Sequence, residues 1–292
     1  MSLHILENED LRVTVSDAGA ELISVMDKKH DSERIWTGDP AVWNRHAPIL
    51  FPFVGKVMEG KYRVAGREYE MKTQHGFARD MDFACVGETP VSVTHCLSAT
   101  DWTREHYPYD FRLTVTHRLA GNRLFVEWAV ENLGADRMYF SIGGHPGFLM
   151  PKGVQKEDCR ICFPGADTLR YRNASKAGYA LPETKALPLK EGCAPYQADI
   201  PDTWIFEDSQ VRQVGILLPD GRPLVMLHCD EFPMLAVWAN PKGPFICLEP
   251  WFGRTDDEGF RGTMDQKKGI QSLGSGEKKE IVYSVEIGRA HV

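Results

Sequence analysis

The feature that most limits how this chain can fold is a hydrophobic alternation of period two. Leu11, Val13 and Val15 alternate with Arg12, Thr14 and Ser16, and Leu124, Val126, Trp128 and Val130 repeat the pattern. Neighbouring side chains of an extended strand point to opposite faces, so such segments bury one face and solvate the other. The run from Phe111 to Leu119 has a similar character, and Ala120-Gly121-Asn122 supplies turn chemistry before the next run, which predicts a hairpin. Pro219-Asp220-Gly221 predicts a turn between Ile216-Leu217-Leu218 and Leu224-Val225-Met226-Leu227. Long capped amphipathic helical stretches are missing, and 26 Gly and 18 Pro punctuate the chain, which together indicate an all-β, antiparallel protein. Period two alone leaves sandwich, barrel and propeller open.

At 292 residues the chain exceeds the usual domain size, but single all-β domains often reach ~200–250 residues. With no long Ser/Gly/Pro linker and no repeat of fixed period, one domain over residues 1–292 is expected. The stretch from Arg172 to Asp202 is the least patterned and reads as long loops near a sheet edge or the site. The last seven residues, Glu286 to Val292, interrupt a strand-like run, read as non-native and carry no functional weight here.

A net charge of -7 without a dense Lys/Arg block argues against nucleic acid as a partner. Acidic residues from Glu7 onward cut short any signal-peptide core, and no apolar run approaches the ~18 residues of a membrane helix, so a cytoplasmic protein is expected. Seven scattered cysteines then read as free thiols in a reducing compartment. Cys159-Arg160-Ile161-Cys162 has the spacing of half a zinc site, but no second pair accompanies it, and in a strand the two sulfurs would face opposite ways.

Two distant segments carry proton-handling groups: Gly143-Gly144-His145-Pro146-Gly147-Phe148 and Cys247-Leu248-Glu249-Pro250-Trp251-Phe252-Gly253. An imidazole titrates near ~6.5 and burial raises a carboxyl, so the two together can give and take a proton at neutral pH. Gly143 and Gly144 permit close backbone approach, and Pro146 and Gly147 disfavour a continued strand, which places His145 at a strand end or loop. Glu249 emerges from the apolar run Phe245 to Leu248, and Pro250 is expected to break the ladder just after it, where the sheet opens into a cleft. A third segment, Gln74-His75-Gly76-Phe77-Ala78-Arg79, adds an imidazole and a cation. Arg79 and Lys56 are candidates to bind sugar hydroxyls or a phosphate, and Trp238, Trp251 and Phe148 to offer flat faces to a pyranose.

These segments, with Ala47 to Lys56, Asp202-Thr203-Trp204-Ile205-Phe206 and Val237-Trp238, resemble the aldose 1-epimerases, the galactose mutarotase-like proteins, and within them the LacX-like branch. The resemblance runs nearly end to end. It implies a large antiparallel β-sandwich and an isomerase that interconverts the α and β anomers of a free aldohexose without cofactor or metal. By position it makes Glu249 the general base, His145 the general acid, His75 a second imidazole at the sugar, and Asp202 a carboxylate holding sugar hydroxyls. The alternatives are a hexose-6-phosphate 1-epimerase, whose branch shares the His-Gly-Phe-Ala-Arg type of segment, and a non-catalytic sugar-binding or sensor protein. A glycosidase would use two facing carboxylates, where the matched segments supply one. The expected partner is a small-molecule sugar, with the protein a monomer or a homodimer and no membrane attachment.

Overall fold

The alternating segments do become strands. The structure is a computed structural model that describes residues 2–196 and 203–288. Among the described residues, a nine-stranded and an eight-stranded sheet dominate, joined by a four-stranded sheet at the N-terminus and two short two-stranded pieces. Every pairing between named strands is antiparallel, and the one α-helix among the described residues is the six-residue Asp101–His106.

The expected hairpin is the spine of the nine-stranded sheet: Phe111–Ala120 pairs with Arg123–Asn132 over their whole lengths. Leu113, Val115, Leu124, Val126, Trp128 and Val130 are buried, as the alternation requires. The turn at Pro219-Asp220-Gly221 likewise joins Gln213–Leu217 to Pro223–His228, with Gly221 at φ +86°. Lys278–Ile287 lies between these two hairpins, so the end of the chain closes the sheet. Across the sandwich, Trp128 and Tyr283 of the nine-stranded sheet meet Phe232 and, through it, Phe252 of the eight-stranded sheet. One contiguous apolar cluster runs from Leu6 to Ile287. Truncating a ring such as Trp128 to Ala would cost about 3–5 kcal/mol.

Three expectations are corrected. The Arg172 to Asp202 stretch is not only loop: it holds part of Thr168–Asn173, and Lys185–Pro188 and Cys193–Pro195, short edge strands whose three or four residues cannot show an alternation. Glu286 and Ile287 belong to the last strand, and Glu286 reaches Arg123 at 2.7 Å, so the strand is not interrupted there but runs two residues into the segment set aside; residues 289–292 lie outside those described. Cys162 and Cys193 are not free thiols but a disulfide, because antiparallel pairing sets them directly opposite each other. Cys159 points elsewhere, toward the Met150 sulfur and the Gln155 carbonyl.

Candidate active site

The strand Phe245–Phe252 explains how two distant segments meet. Along one edge it pairs first with Gly147–Leu149 and then with Ile142–Gly144, in the same register throughout. Between those blocks lies His145-Pro146, and continuing the register across the gap sets His145 opposite Glu249. Pro146 and Pro250, neither of which has an N–H to donate, both fall in this interruption. The ladder break expected at Pro250 is present on this edge alone. The strand runs on to Phe252, and Glu249 is in its middle, paired with Ala236 on the other edge. The two preceding glycines are needed for close approach: a Cβ on Gly143 would lie 2.5 Å from Trp251 Cδ1, and one on Gly144 2.9 Å from the Tyr283 hydroxyl.

His75 arrives on a loop zipped to another loop. Its N–H donates to the Gly55 carbonyl (2.8 Å), the Gly55 N–H donates to its Nδ1 (3.0 Å), and Phe77 and Ala78 donate to the Phe51 carbonyl. Both His75 (φ 70°) and Gly76 (φ 71°) adopt left-handed backbone, and a Cβ on Gly76 would strike the Phe51 carbonyl at 2.3 Å. Because Nδ1 accepts a hydrogen bond, the neutral ring carries its proton on Nε2.

These groups line a cleft of about 670 Å³ at the open side of the eight-stranded sheet. His145 Nε2 lies 3.3 Å from Glu249 Oε2, without the alignment of a hydrogen bond, and the His75 and His145 rings meet edge to face at 5.4 Å. Trp43 lies over His145 at 5.0 Å and Trp238 edge-on to it at 5.5 Å, the two indoles forming an aromatic corner. Arg79 lines the wall with no hydrogen bond at its Nε, which lies 3.9 Å from Asp80 Oδ2, on a turn held by Arg45, which donates to the Arg79 carbonyl (3.0 Å) and to Asp80. Opposite, the Thr255 hydroxyl donates to the Gly178 carbonyl (2.7 Å) and accepts from the Lys56 N–H (3.0 Å), binding three loops into one wall.

Burial dominates the electrostatics. Glu249 is 1% exposed with no cation beside it, so its pKa is raised well above the usual carboxyl value. The neighbouring Trp251 indole N–H softens that rise electrostatically, but no aligned hydrogen bond joins the two. His145 is pushed down to about 3 by burial and then by the Arg79 charge, and His75 well below its normal value by burial, His145 and Arg79. Burial thus favours the pair of a neutral carboxylic acid facing a neutral imidazole. That pair holds the same number of protons as a carboxylate facing an imidazolium.

Of the residues singled out in the sequence, Glu249, His145, His75, Arg79, Trp238 and Trp251 come together on the lining. Lys56 does not: its methylenes pack over Gly178, where an added Cβ would be 3.2 Å from Lys56 Cδ. Phe148 is core, 1% exposed. Asp202 lies outside the described residues, although its neighbour Thr203 lines the cleft. Sequence reading missed Trp43, Asn240 and Lys176. The Asn240 amide donates to the Val42 carbonyl and ties the Trp43 loop down, a contact across 198 positions that no local pattern announces.

A β-sandwich with a carboxyl and two imidazoles at one cleft defines a class of sugar isomerase. The chain belongs to the aldose 1-epimerase family, whose profile matches residues 2–201. It is thus an isomerase acting on a sugar. It is 30% identical to the chromosomal LacX protein of Lactococcus lactis subsp. lactis over 266 residues, 85% of this chain and 87% of that one. The galactose mutarotase related enzyme of Lactobacillus acidophilus superposes with a TM-score of 0.92 at 29% identity, covering 99% of this chain and 98% of that one. A galactose mutarotase-like protein of Lactobacillus casei superposes at 0.90 with 30% identity, covering 98% and 100%. Among the described residues, no helix is long and apolar enough to cross a membrane.

Proposed function

We propose that the protein interconverts the α and β anomers of a free aldohexose, with Glu249 and His145 moving the two protons. The supporting observation is the facing pair on the cleft wall, His145 Nε2 at 3.3 Å from Glu249 Oε2. Ring opening removes the anomeric hydroxyl proton and delivers one to the ring oxygen; the aldehyde then rotates and recloses from the other face. Glu249 takes the anomeric proton as base once the bound sugar's hydroxyls replace the solvation that burial denies its carboxylate. His145, as imidazolium, protonates the ring oxygen, and on closure the roles reverse. The neutral and ionic forms of the pair differ only by one proton passed between them, so a turnover needs no net proton from solvent. Each group would contribute about 10²–10⁴ in rate. His75 Nε2–H and Arg79 donate to sugar hydroxyls, and Trp43 and Trp238 cover the C–H face of the pyranose.

One observation favours a second reading, a hexose phosphate. Arg45, Arg79 and Lys176 line the cleft against a single lining carboxyl, Glu249, and Asp80, which pairs with Arg45 and lies beside Arg79, offsets one of the three charges, so cations are in excess at the wall of a chain of net charge -7. That single carboxyl also disfavours a glycosidase. NMR exchange spectroscopy of the anomers of glucose, galactose and glucose 6-phosphate separates these readings. We expect faster exchange of a free hexose; acceleration of the phosphate alone would shift the assignment to the second reading. Sugar binding without any acceleration would instead leave a sugar-binding protein.

A further inference from the structure

A second cluster of titratable groups lies away from the cleft, where the N-terminal sheet meets the nine-stranded sheet. His4, on Leu3–Glu7, places its Nε2 2.9 Å from Asp17 Oδ1, and His95, on Ser92–Ser98, places its Nε2 3.3 Å from the same oxygen. We propose that His4, Asp17 and His95 form a binding site for a divalent d-block cation, zinc being the best match, which clips the two sheets together.

Three features carry this. The three donor atoms lie within 4.8 Å of one another. A tetrahedral zinc with bonds of about 2.0–2.1 Å holds neighbouring donors roughly 3.4 Å apart, so small side-chain adjustments suffice. His95 is fully buried and its Nε2 meets only the shared Asp17 oxygen, so the ion would take the one ring nitrogen that faces the cluster, while its unpartnered Nδ1 lies outside the ligand set. His4 has the outer contact a metal-binding histidine uses, its Nδ1 lying 3.0 Å from Glu88 Oε2, and Asp17 Oδ2 accepts the Ser2 N–H at 2.9 Å. A carboxylate on the far nitrogen fixes the tautomer that presents Nε2 to the ion. Two imidazoles and one carboxylate suit zinc rather than magnesium or calcium, and leave a fourth position for water. Cys85 and Glu88 approach the other nitrogen of His4 on the exposed side and make the competing set.

The test is calorimetric titration of tag-free, chelator-treated protein with zinc chloride, alongside thermal melts and cobalt(II) absorption. We expect one zinc per chain, a melting temperature that rises with zinc, and cobalt bands of a four-coordinate site. His4→Gln and His95→Gln should each weaken binding at least ~100-fold, and Glu88→Gln by about 10–100-fold with the stoichiometry kept. His4→Gln, at a partly exposed position, is the variant that keeps the test valid should His95→Gln fail to fold. No saturable binding by the unmutated protein overturns the proposal. So does undiminished binding by His4→Gln, loss of binding in Cys85→Ser, which would move the ion to the thiolate side, or loss in Glu249→Gln, which would move it to the cleft.

Discussion

Glu207 and Glu249 are the same residue type in or next to strands of the same sheet, both buried, yet they are set up for opposite purposes. Glu207 directly follows Trp204–Phe206 and is ringed by cations: Arg254 Nε donates to Oε1 at 2.6 Å and Arg172 Nε to Oε2 at 2.9 Å. Those hydrogen bonds and charges outweigh burial and lower its pKa. Glu249 is more deeply buried, 1% exposed against 8%, and has no such ring, so its larger desolvation goes uncompensated and its pKa rises. Burial sets the cost of the charge; the partners decide whether the group becomes a fixed anion in a structural knot or a carboxyl whose ionisation goes uncompensated at a cleft.

The comparison can be broken by exchanging each acid for its amide. Glu249→Gln should cut anomer exchange by ~10²–10⁴ while the urea midpoint at neutral pH stays level or rises, because an amide carries no charge for burial to penalise. An unchanged exchange rate in a folded variant would remove Glu249 from the reaction. Glu207→Gln should do the reverse, keeping the rate per folded molecule and losing about 3 kcal/mol, the lower end of the usual cost because Asp257 still pairs with Arg254.

The loss in Glu207→Gln should also depend on pH. A carboxyl held low in the folded state lends stability above its unfolded pKa and forfeits it as pH falls through the folded value, so the penalty shrinks in acid. For Glu249, held high, the sign is opposite: stability is fully present below the unfolded pKa and is lost as pH rises through the folded one, so the advantage of Gln grows in base.

Histidine sharpens the same contrast. His145 and His117 are held down to about 3 by burial. Between there and about 6.5 the unfolded chain binds protons that the native state refuses, so stability declines as pH falls through that window. His117, on Phe111–Ala120 and away from the cleft, should account for a slope of up to about 1.4 kcal/mol per pH unit. Urea titrations of His117→Gln from pH 4 to 7 should show a shallower decline than the unmutated protein; an identical slope would mean that His117 binds protons equally in both states.

Much of the site was legible because its residues carry local signals. Gly143-Gly144 ahead of His145 announced a close approach, and an acid at the end of an apolar run singled out Glu249 even though the strand did not stop there. Trp43 and Asn240 gave no such signal, since an indole or an amide in a loop looks the same whether it faces a cleft or solvent. The Cys162–Cys193 pairing was illegible for a related reason: partners 31 residues apart are chosen by register, which the alternation of a three-residue strand cannot specify.

From its residues alone the chain determined that it would be built of antiparallel strands, where its principal hairpin would turn, and which imidazole and carboxyl to watch. Alternation and turn chemistry act over a few residues, and neighbours in sequence suffice to express them. Only the folded arrangement decided that His145 faces Glu249 across an interrupted ladder, that Lys56 packs over Gly178, and that one buried glutamate meets two arginines while the other meets none. Desolvation and charge pairing depend on what surrounds an atom in space, and the order of residues does not contain those distances until the sheets have paired.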